Sequence, residues 1–206
     1  HMHAPQAMAA MRRGLHAYCQ KPLTSHVHEA RQLTKYAAAK RLVTQMGIQI
    51  HSYAEYQIAV ALVHQGTIGK VKEVHAWSNK KWGDEAPRPT QTDPVPDTLD
   101  WDGWIGVARS EPYIKNCHPG NWRKRLEFGT GTFGDMGCHI YDPVFGALGL
   151  TAPLTVRAEG PAPNQHSYAT NAIVKYVFPA TPYSEGKTVA VTWYDGDERQ
   201  PQAVQA

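Results

Sequence analysis

Gly14-Leu15-His16-Ala17-Tyr18-Cys19-Gln20-Lys21-Pro22 is the stretch that decides how this 206-residue sequence is read. Leu15 to Cys19 suits a short strand, Gly14 suits the left-handed cap of a helix before it, and Lys21 sits just past the strand's carboxyl end. Upstream, residues 4–13 predict a helix: Pro5 fits the first turn, and Arg12 and Arg13 face the negative end of the dipole. Downstream, Thr24 or Ser25 can cap a second helix, with Glu29 in its early turns and Val27, Ala30, Leu33 and Ala37 at helical spacing. Arg41 to Gln45 is the next strand candidate. Helix, strand, helix and strand joined by short links make the pattern of a parallel α/β sheet. A parallel βαβ unit needs a strand ahead of its helix, so further strands are expected ahead of His1.

The pattern then changes. Glu55 to Gln65 reads as a helix ended by Gly66, and Val71 to Ser78 as a strand. Pro87, Pro89, Pro94 and Pro96 make residues 86–96 an extended loop. An aromatic-rich stretch follows, with Trp101, Trp104, Tyr113 and Trp122, and then a helix from Phe133 to Leu148. Val156 to Glu159, Ala172 to Phe178 and Thr188 to Tyr194 read as strands. Strands grouped in this way predict an α+β domain with an open, mainly antiparallel sheet. The expected organisation is a truncated α/β part over residues 1–50 and an α+β domain over residues 51–206.

Composition excludes several classes. The net charge is +3 and the basic residues are scattered, so no stripe tracks a nucleic-acid backbone. No apolar run is long enough to span a bilayer, so no membrane partner is expected. His1-Met2-His3-Ala4-Pro5 has no signal-peptide pattern. Cys19, Cys117 and Cys138 form no C-x-x-C pair, which argues against a disulfide framework and a structural zinc.

Chemistry concentrates at two places. Ligands in open α/β sheets bind beyond the carboxyl ends of strands, where Lys21 lies; a lysine there can neutralise an oxyanion or exchange a proton. The competing reading is a solvated loop lysine. Asp135, His139 and Asp142 follow at spacings of four and three, on one helical face. A carboxylate one turn from a histidine can orient the ring for acid–base work. The competing readings are a dipole charge at Asp135 and a core histidine at His139, and no metal is expected. Gly129-Thr130-Gly131-Thr132-Phe133-Gly134 matches G-x-G-x-x-G, but the charged Arg123 to Phe128 ahead of it does not suit a buried parallel strand, and Asp135 would repel a pyrophosphate. The tryptophans of 101–122 suit either a sugar-stacking floor or a core.

Taken together, these segments resemble the Gfo/Idh/MocA oxidoreductase family. Gln20-Lys21-Pro22 is similar to that family's Glu-Lys-Pro, and Gly131 to His139 is similar to its Gly-x-x-x-Asp-x-x-x-His. Ile68-Gly69-Lys70-Val71 resembles its turn at the start of the substrate domain, while Trp101-Asp102-Gly103-Trp104 and Trp122-Arg123 resemble a bacterial subgroup, many of whose members carry twin-arginine export signals. The resemblance implies a truncated NAD(P)-binding Rossmann domain over residues 1–50, a substrate domain over residues 51–206, and an NAD(P)-dependent oxidoreductase acting on a carbohydrate or polyol. It implies catalytic roles for Lys21, Asp135 and His139, with Lys21 and His139 reaching one hydroxyl and a cis Lys21–Pro22 bond. His3, Gln20, Lys21 and Pro22 would face NAD or NADP; Trp122, Arg123, Asp135 and His139 would face substrate. The family's glycine-rich phosphate loop is expected ahead of His1, so the chain alone is expected to bind NAD poorly and to be inactive. A homo-oligomer through the substrate-domain sheet is expected, in the cytoplasm or the periplasm. Gln20 stands where the family has glutamate. A neutral amide does not favour a charged Lys21 as a carboxylate would, which keeps two alternatives open: an NAD-dependent glycosidase without net redox, and a non-catalytic sugar sensor.

Overall fold

The structure is a computed structural model and describes residues 1–204. It divides into two compact units. The first comprises His1–Gly47, Trp82–Asp135 and Pro163–Tyr168; the second comprises Ile48–Lys81, Met136–Ala162 and the chain from Ala169 onward.

In the first unit, α1 (His3–Arg12) leads into β1 (Ala17–Gln20), and α2 (Val27–Lys40) leads into β2 (Thr44–Gly47). The two strands pair in parallel, with Ala17 opposite Thr44 and Gln20 opposite Gly47. Ala4, Ala7 and Met11 recur on one face of α1, and Leu33 and Ala37 on one face of α2; together they form the buried cluster of this layer. Gly14 takes a φ of 78°, and its N–H donates to the Met11 carbonyl at 2.9 Å, closing α1 as its missing side chain allows. Two boundaries differ from expectation. Helix α2 starts after His26, where the Glu29 carboxylate accepts the backbone N–H groups of Ser25 (2.9 Å) and His26 (3.1 Å), so neither Thr24 nor Ser25 is the cap residue. At its other end Arg41 takes the left-handed cap, φ 53°, and the Leu42 N–H returns to the Ala37 carbonyl at 2.9 Å. Residues 41 and 42 are thus spent on the cap, and the strand begins only at Thr44.

The remainder of the first unit has little regular structure and is held by rings. Short helix α4 (Trp101–Ile105) is capped by Asp100, whose Oδ1 accepts the Gly103 N–H at 2.9 Å. Trp101, Ile105, Tyr113, Cys117 and Phe128 are buried together. Trp101 and Trp104 stack with centroids 5.0 Å apart, and the Trp101 Nε1–H donates to the Glu111 carbonyl at 2.8 Å. Rings of this size bury roughly 150–250 Å² each, which stabilises a segment that has few backbone ladders.

Beside this cluster lies a buried charged group. Arg125 donates from Nη1 to the Ser167 hydroxyl at 2.6 Å, and His166 Nδ1 lies 3.9 Å from Glu127 Oε2. Burial, then the guanidinium groups of Arg125 and Arg88, push the His166 imidazole down to about 4, against the smaller opposing pull of Glu111 and Asp84. A depressed histidine is neutral in the fold and protonates more readily when unfolded. Its contribution to stability is therefore complete above about pH 6.5 and is lost as pH falls from there towards 4. His166→Gln is expected to flatten the dependence of melting temperature on pH in that window. An unchanged slope would place the acid sensitivity elsewhere.

The second unit packs α3 (Ala54–His64) and the C-terminal part of α5 (Gly131–Leu148) with a four-stranded sheet of β3 (Glu73–Ser78), β4 (Thr155–Glu159), β5 (Ile173–Pro179) and β6 (Thr188–Asp195). The order is β3-β6-β5-β4. β4–β5 and β5–β6 are antiparallel and β3–β6 is parallel. Val189, Val191 and Trp193 alternate along β6 and are fully buried, as expected of a strand with one covered face. Tyr141 of α5 meets Tyr176 and Trp193 edge-on, and Phe145 meets Phe178 likewise. The fold is thus a Rossmann-type α/β remnant joined to an α+β part with an open, mostly antiparallel sheet. Among the described residues, no helix is long and apolar enough to cross a membrane.

Candidate active site

Lys21 follows the carboxyl end of β1, and the Lys21–Pro22 bond is cis. Its ammonium donates to the Asp135 carboxylate Oδ1 at 2.8 Å and to the Asp135 backbone carbonyl at 2.7 Å. Asp135 is five residues into the range of α5, so Lys21 is fixed at two points to the first turns of that helix. The two side chains are only 19% and 11% exposed, a setting in which a charge pair is screened far less than at an open surface.

A second cation shares the same oxygen. Arg123 Nε lies 3.3 Å from Asp135 Oδ1, and Nη1 reaches the Gly120 carbonyl at 3.4 Å. The guanidinium carbon sits 4.5 Å from the Trp122 ring centre and 5.5 Å from that of Trp82. Both rings therefore attract the cation through their π faces. Trp82 is tied in by its own N–H, which donates to the Thr132 hydroxyl at 2.8 Å.

These groups line one half-open cavity of about 480 Å³, within the range of small-molecule sites. Of the residues singled out from sequence, His3, Lys21, Pro22, Trp122, Arg123 and Asp135 lie on its wall. His3 Nδ1–H donates to the Pro22 carbonyl at 2.8 Å, which fixes the ring and leaves Nε2 as the acceptor of the neutral form. Trp104 also lines the cavity, while Trp101 is core. The aromatic stretch is therefore divided between cavity wall and core.

The other candidates lie elsewhere. Gln20 turns its side chain over Gly47 of the neighbouring strand; a Cβ on that glycine would come within 2.3 Å of the Gln20 Oε1. The carboxylate that accompanies Lys21 is thus Asp135. His139 is in the second unit, one turn beyond Asp135 along α5. Pro143 lies inside α5 and has no N–H to give the His139 carbonyl four residues before it. Asp142 pairs instead with His51, Oδ2 to Nδ1 at 2.7 Å, and its carbonyl accepts the Tyr56 hydroxyl at 3.1 Å. Burial, with Asp142 adding to it, pushes Tyr56 up to about 12. Among the described residues, no group of His, Cys, Asp or Glu has metal-binding geometry. Sequence reasoning did not find Trp82, which stands 41 positions before Arg123 and has no motif of its own.

The glycines of Gly129–Gly134 serve packing. A Cβ on Gly129 would lie 2.1 Å from the Arg123 carbonyl oxygen, one on Gly131 would lie 2.8 Å from Tyr168, and one on Gly134 would lie 2.3 Å from Thr130. A 3₁₀ turn at Asn121–Lys124, not a strand, precedes them. The loop does not fit a dinucleotide pyrophosphate. The nicotinamide end is different: the wall beyond β1 offers a fixed cation, an oriented imidazole and flat apolar faces, a donor set that fits a nicotinamide beside a hydroxyl.

Comparison with known proteins identifies the family and the fold. Residues 62–204 match an oxidoreductase-family C-terminal alpha/beta domain, and residues 1–48 match the family's NAD-binding Rossmann fold, both of the Gfo/Idh/MocA type. Similar solved structures include GenD2 from gentamicin A biosynthesis in complex with NAD, at 17% identity and a TM-score of 0.60, covering 97% of this chain and 46% of that one. An NAD-binding oxidoreductase from Klebsiella pneumoniae is 18% identical, with a TM-score of 0.59, and covers 97% and 47%. A candidate myo-inositol dehydrogenase from Sinorhizobium meliloti 1021 is 16% identical, with a TM-score of 0.54, and covers 94% and 47%. At such identities the likeness is one of fold, and the chain spans less than half the length of each of these structures. Among proteins of curated function, none matches the sequence.

Proposed function

The chain belongs to the Gfo/Idh/MocA oxidoreductase family, and from that premise we propose that it is part of an NAD(P)-dependent oxidoreductase acting on a hydroxyl or carbonyl of a sugar or polyol. The observation that carries this reading is the pairing of Lys21 with Asp135 in a cavity that also presents His3, Trp104, Trp122 and Arg123. The solved candidate inositol dehydrogenase of this fold supports the substrate class.

In this reading His3, Lys21 and Pro22 hold the nicotinamide end of NAD or NADP, with Gln20 next to them. When bound, the nicotinamide accepts or returns a hydride. The chain's own groups handle the proton. Lys21 Nζ, held by Asp135, donates a hydrogen bond to the reacting oxygen and stabilises negative charge as it develops there. His139, one turn beyond Asp135 on the same helix, takes the hydroxyl proton on its ring in the oxidising direction and gives it back in the reducing one. Trp104 and Trp122 offer ring faces to sugar C–H groups and exclude water, and Arg123 and Asp135 orient hydroxyls. The substrate is a free small molecule, and the exposed face of the second unit's sheet is the surface through which copies would associate.

Product analysis tests the reading. The protein of native length, given NAD and a panel of polyols and sugars, is expected to form reduced dinucleotide in step with a ketone or lactone. Release of free sugar from a glycoside with no net reduced dinucleotide would support a glycosidase instead.

A further inference from the structure

The cavity carries more positive than negative charge. Lys21 and Arg123 both stand on its wall, and Asp135 is the single carboxylate there. That carboxylate meets both cations through one oxygen, at 2.8 and 3.3 Å. One anion shared by two cations leaves one positive charge to be balanced. In a half-enclosed, ring-walled site an unbalanced charge is costly unless a ligand supplies the counter-charge.

The geometry of Arg123 specifies what kind of ligand. Its guanidinium carbon lies over the rings of both Trp122 and Trp82, which help to fix the cation on the cavity wall. Its bonds to Asp135 and Gly120 use Nε and Nη1. Arg123 lines the cavity, and its side chain is still 32% exposed. A guanidinium makes charge-assisted hydrogen bonds to a carboxylate. Trp82 is absent from the cavity wall and acts behind Arg123, so it is a positioning residue.

We propose that the substrate is a sugar or polyol acid whose carboxylate docks on the outer edge of Arg123 while a hydroxyl meets Lys21. This rests on the oxidoreductase reading of the same cavity and narrows its substrate class. A substrate carboxylate then offsets the excess of positive charge that Lys21 and Arg123 hold over Asp135. The tryptophan faces remain for the carbon backbone of the ligand, and the hydroxyl end falls to Lys21.

Calorimetric titration of the 206-residue chain at low salt tests it, with D-glucuronate, D-glucose and inorganic phosphate as probes. A charge-assisted hydrogen bond predicts glucuronate binding about 10-fold or more tighter than glucose, and phosphate weaker than glucuronate. Arg123→Gln is expected to remove the preference of glucuronate over glucose, while Arg123→Lys keeps the charge without the planar guanidinium and retains part of it. Trp82→Leu should lower glucuronate affinity and spare glucose; circular dichroism of each variant confirms that it is folded. Equal binding of glucuronate and glucose would overturn the sugar-acid proposal and leave the oxidoreductase reading standing. Phosphate binding as tightly as glucuronate would also overturn it, by showing a site for any anion. Failure of both sugars to bind would remove the cavity reading and the proposal together.

Discussion

His139→Ala is expected to lower NAD-dependent turnover of the native-length protein by about 10²–10⁴, the usual loss for an acid–base group, while substrate affinity changes only a few-fold. The asymmetry follows from the role. A base that receives the hydroxyl proton acts mainly in the transition state, so its removal affects rate more than binding. A histidine that served only packing would behave in the opposite way: the alanine variant would melt earlier, and its folded fraction would turn over normally. Measuring turnover per folded molecule together with the melting curve separates the two. His139 sits in the C-terminal part of α5, whose neighbouring residue Tyr141 is packed on Tyr176 and Trp193, so the fold around it has its own support.

Asp135→Ala is expected to have the largest effect on the cavity itself. It strips the shared carboxylate from Lys21 and Arg123 and leaves two cations within a few ångströms of each other. Breaking a largely buried pair by removing one partner costs roughly 3 kcal/mol, less here because Lys21 and Arg123 keep some contact with solvent. Part of that loss should disappear in the Lys21→Met background, where only Arg123 is left without the carboxylate. A double-mutant cycle of melting free energies reads the coupling directly. Strict additivity of the two substitutions would show that the Lys21–Asp135 contact contributes nothing and that the site is not held as described.

Much of this arrangement was legible because local rules agree. Gly14, the apolar spacing of α1 and α2 and the alternation along β6 each specify a local conformation that the fold then uses. Asp135 and His139 were legible because helical spacing places them one turn apart. What was not legible depends on contacts between distant positions. Arg41 adopts a left-handed cap, for which arginine carries no preference, and the strand after it is displaced accordingly. Asp142 shares a helical face with His139, yet its partner, His51, stands 91 positions away. Trp82 meets Arg123 across 41 positions, with its backbone N–H held by Thr132. The buried group around His166 joins residues from 84 to 167, and no window along the chain contains them. Gln20 shows the same limit in reverse. The motif placed it beside Lys21, but the carboxylate that Lys21 holds comes from the start of α5, 114 positions on.

The central claim is the proposal that a hydride leaves a carbinol carbon of the substrate in this cavity while Lys21 holds its oxygen. The measurement that bears on it most directly is isotopic. A polyol or sugar acid deuterated at the reacting carbon is incubated with NAD and the native-length protein, and the reduced dinucleotide is analysed by mass. The account predicts that the deuterium appears in the dinucleotide, and that Lys21→Met slows its appearance by about 10²-fold or more, as expected for loss of a group that stabilises the developing oxyanion. Deuterium lost to water, or transfer at the same rate in Lys21→Met, would contradict it.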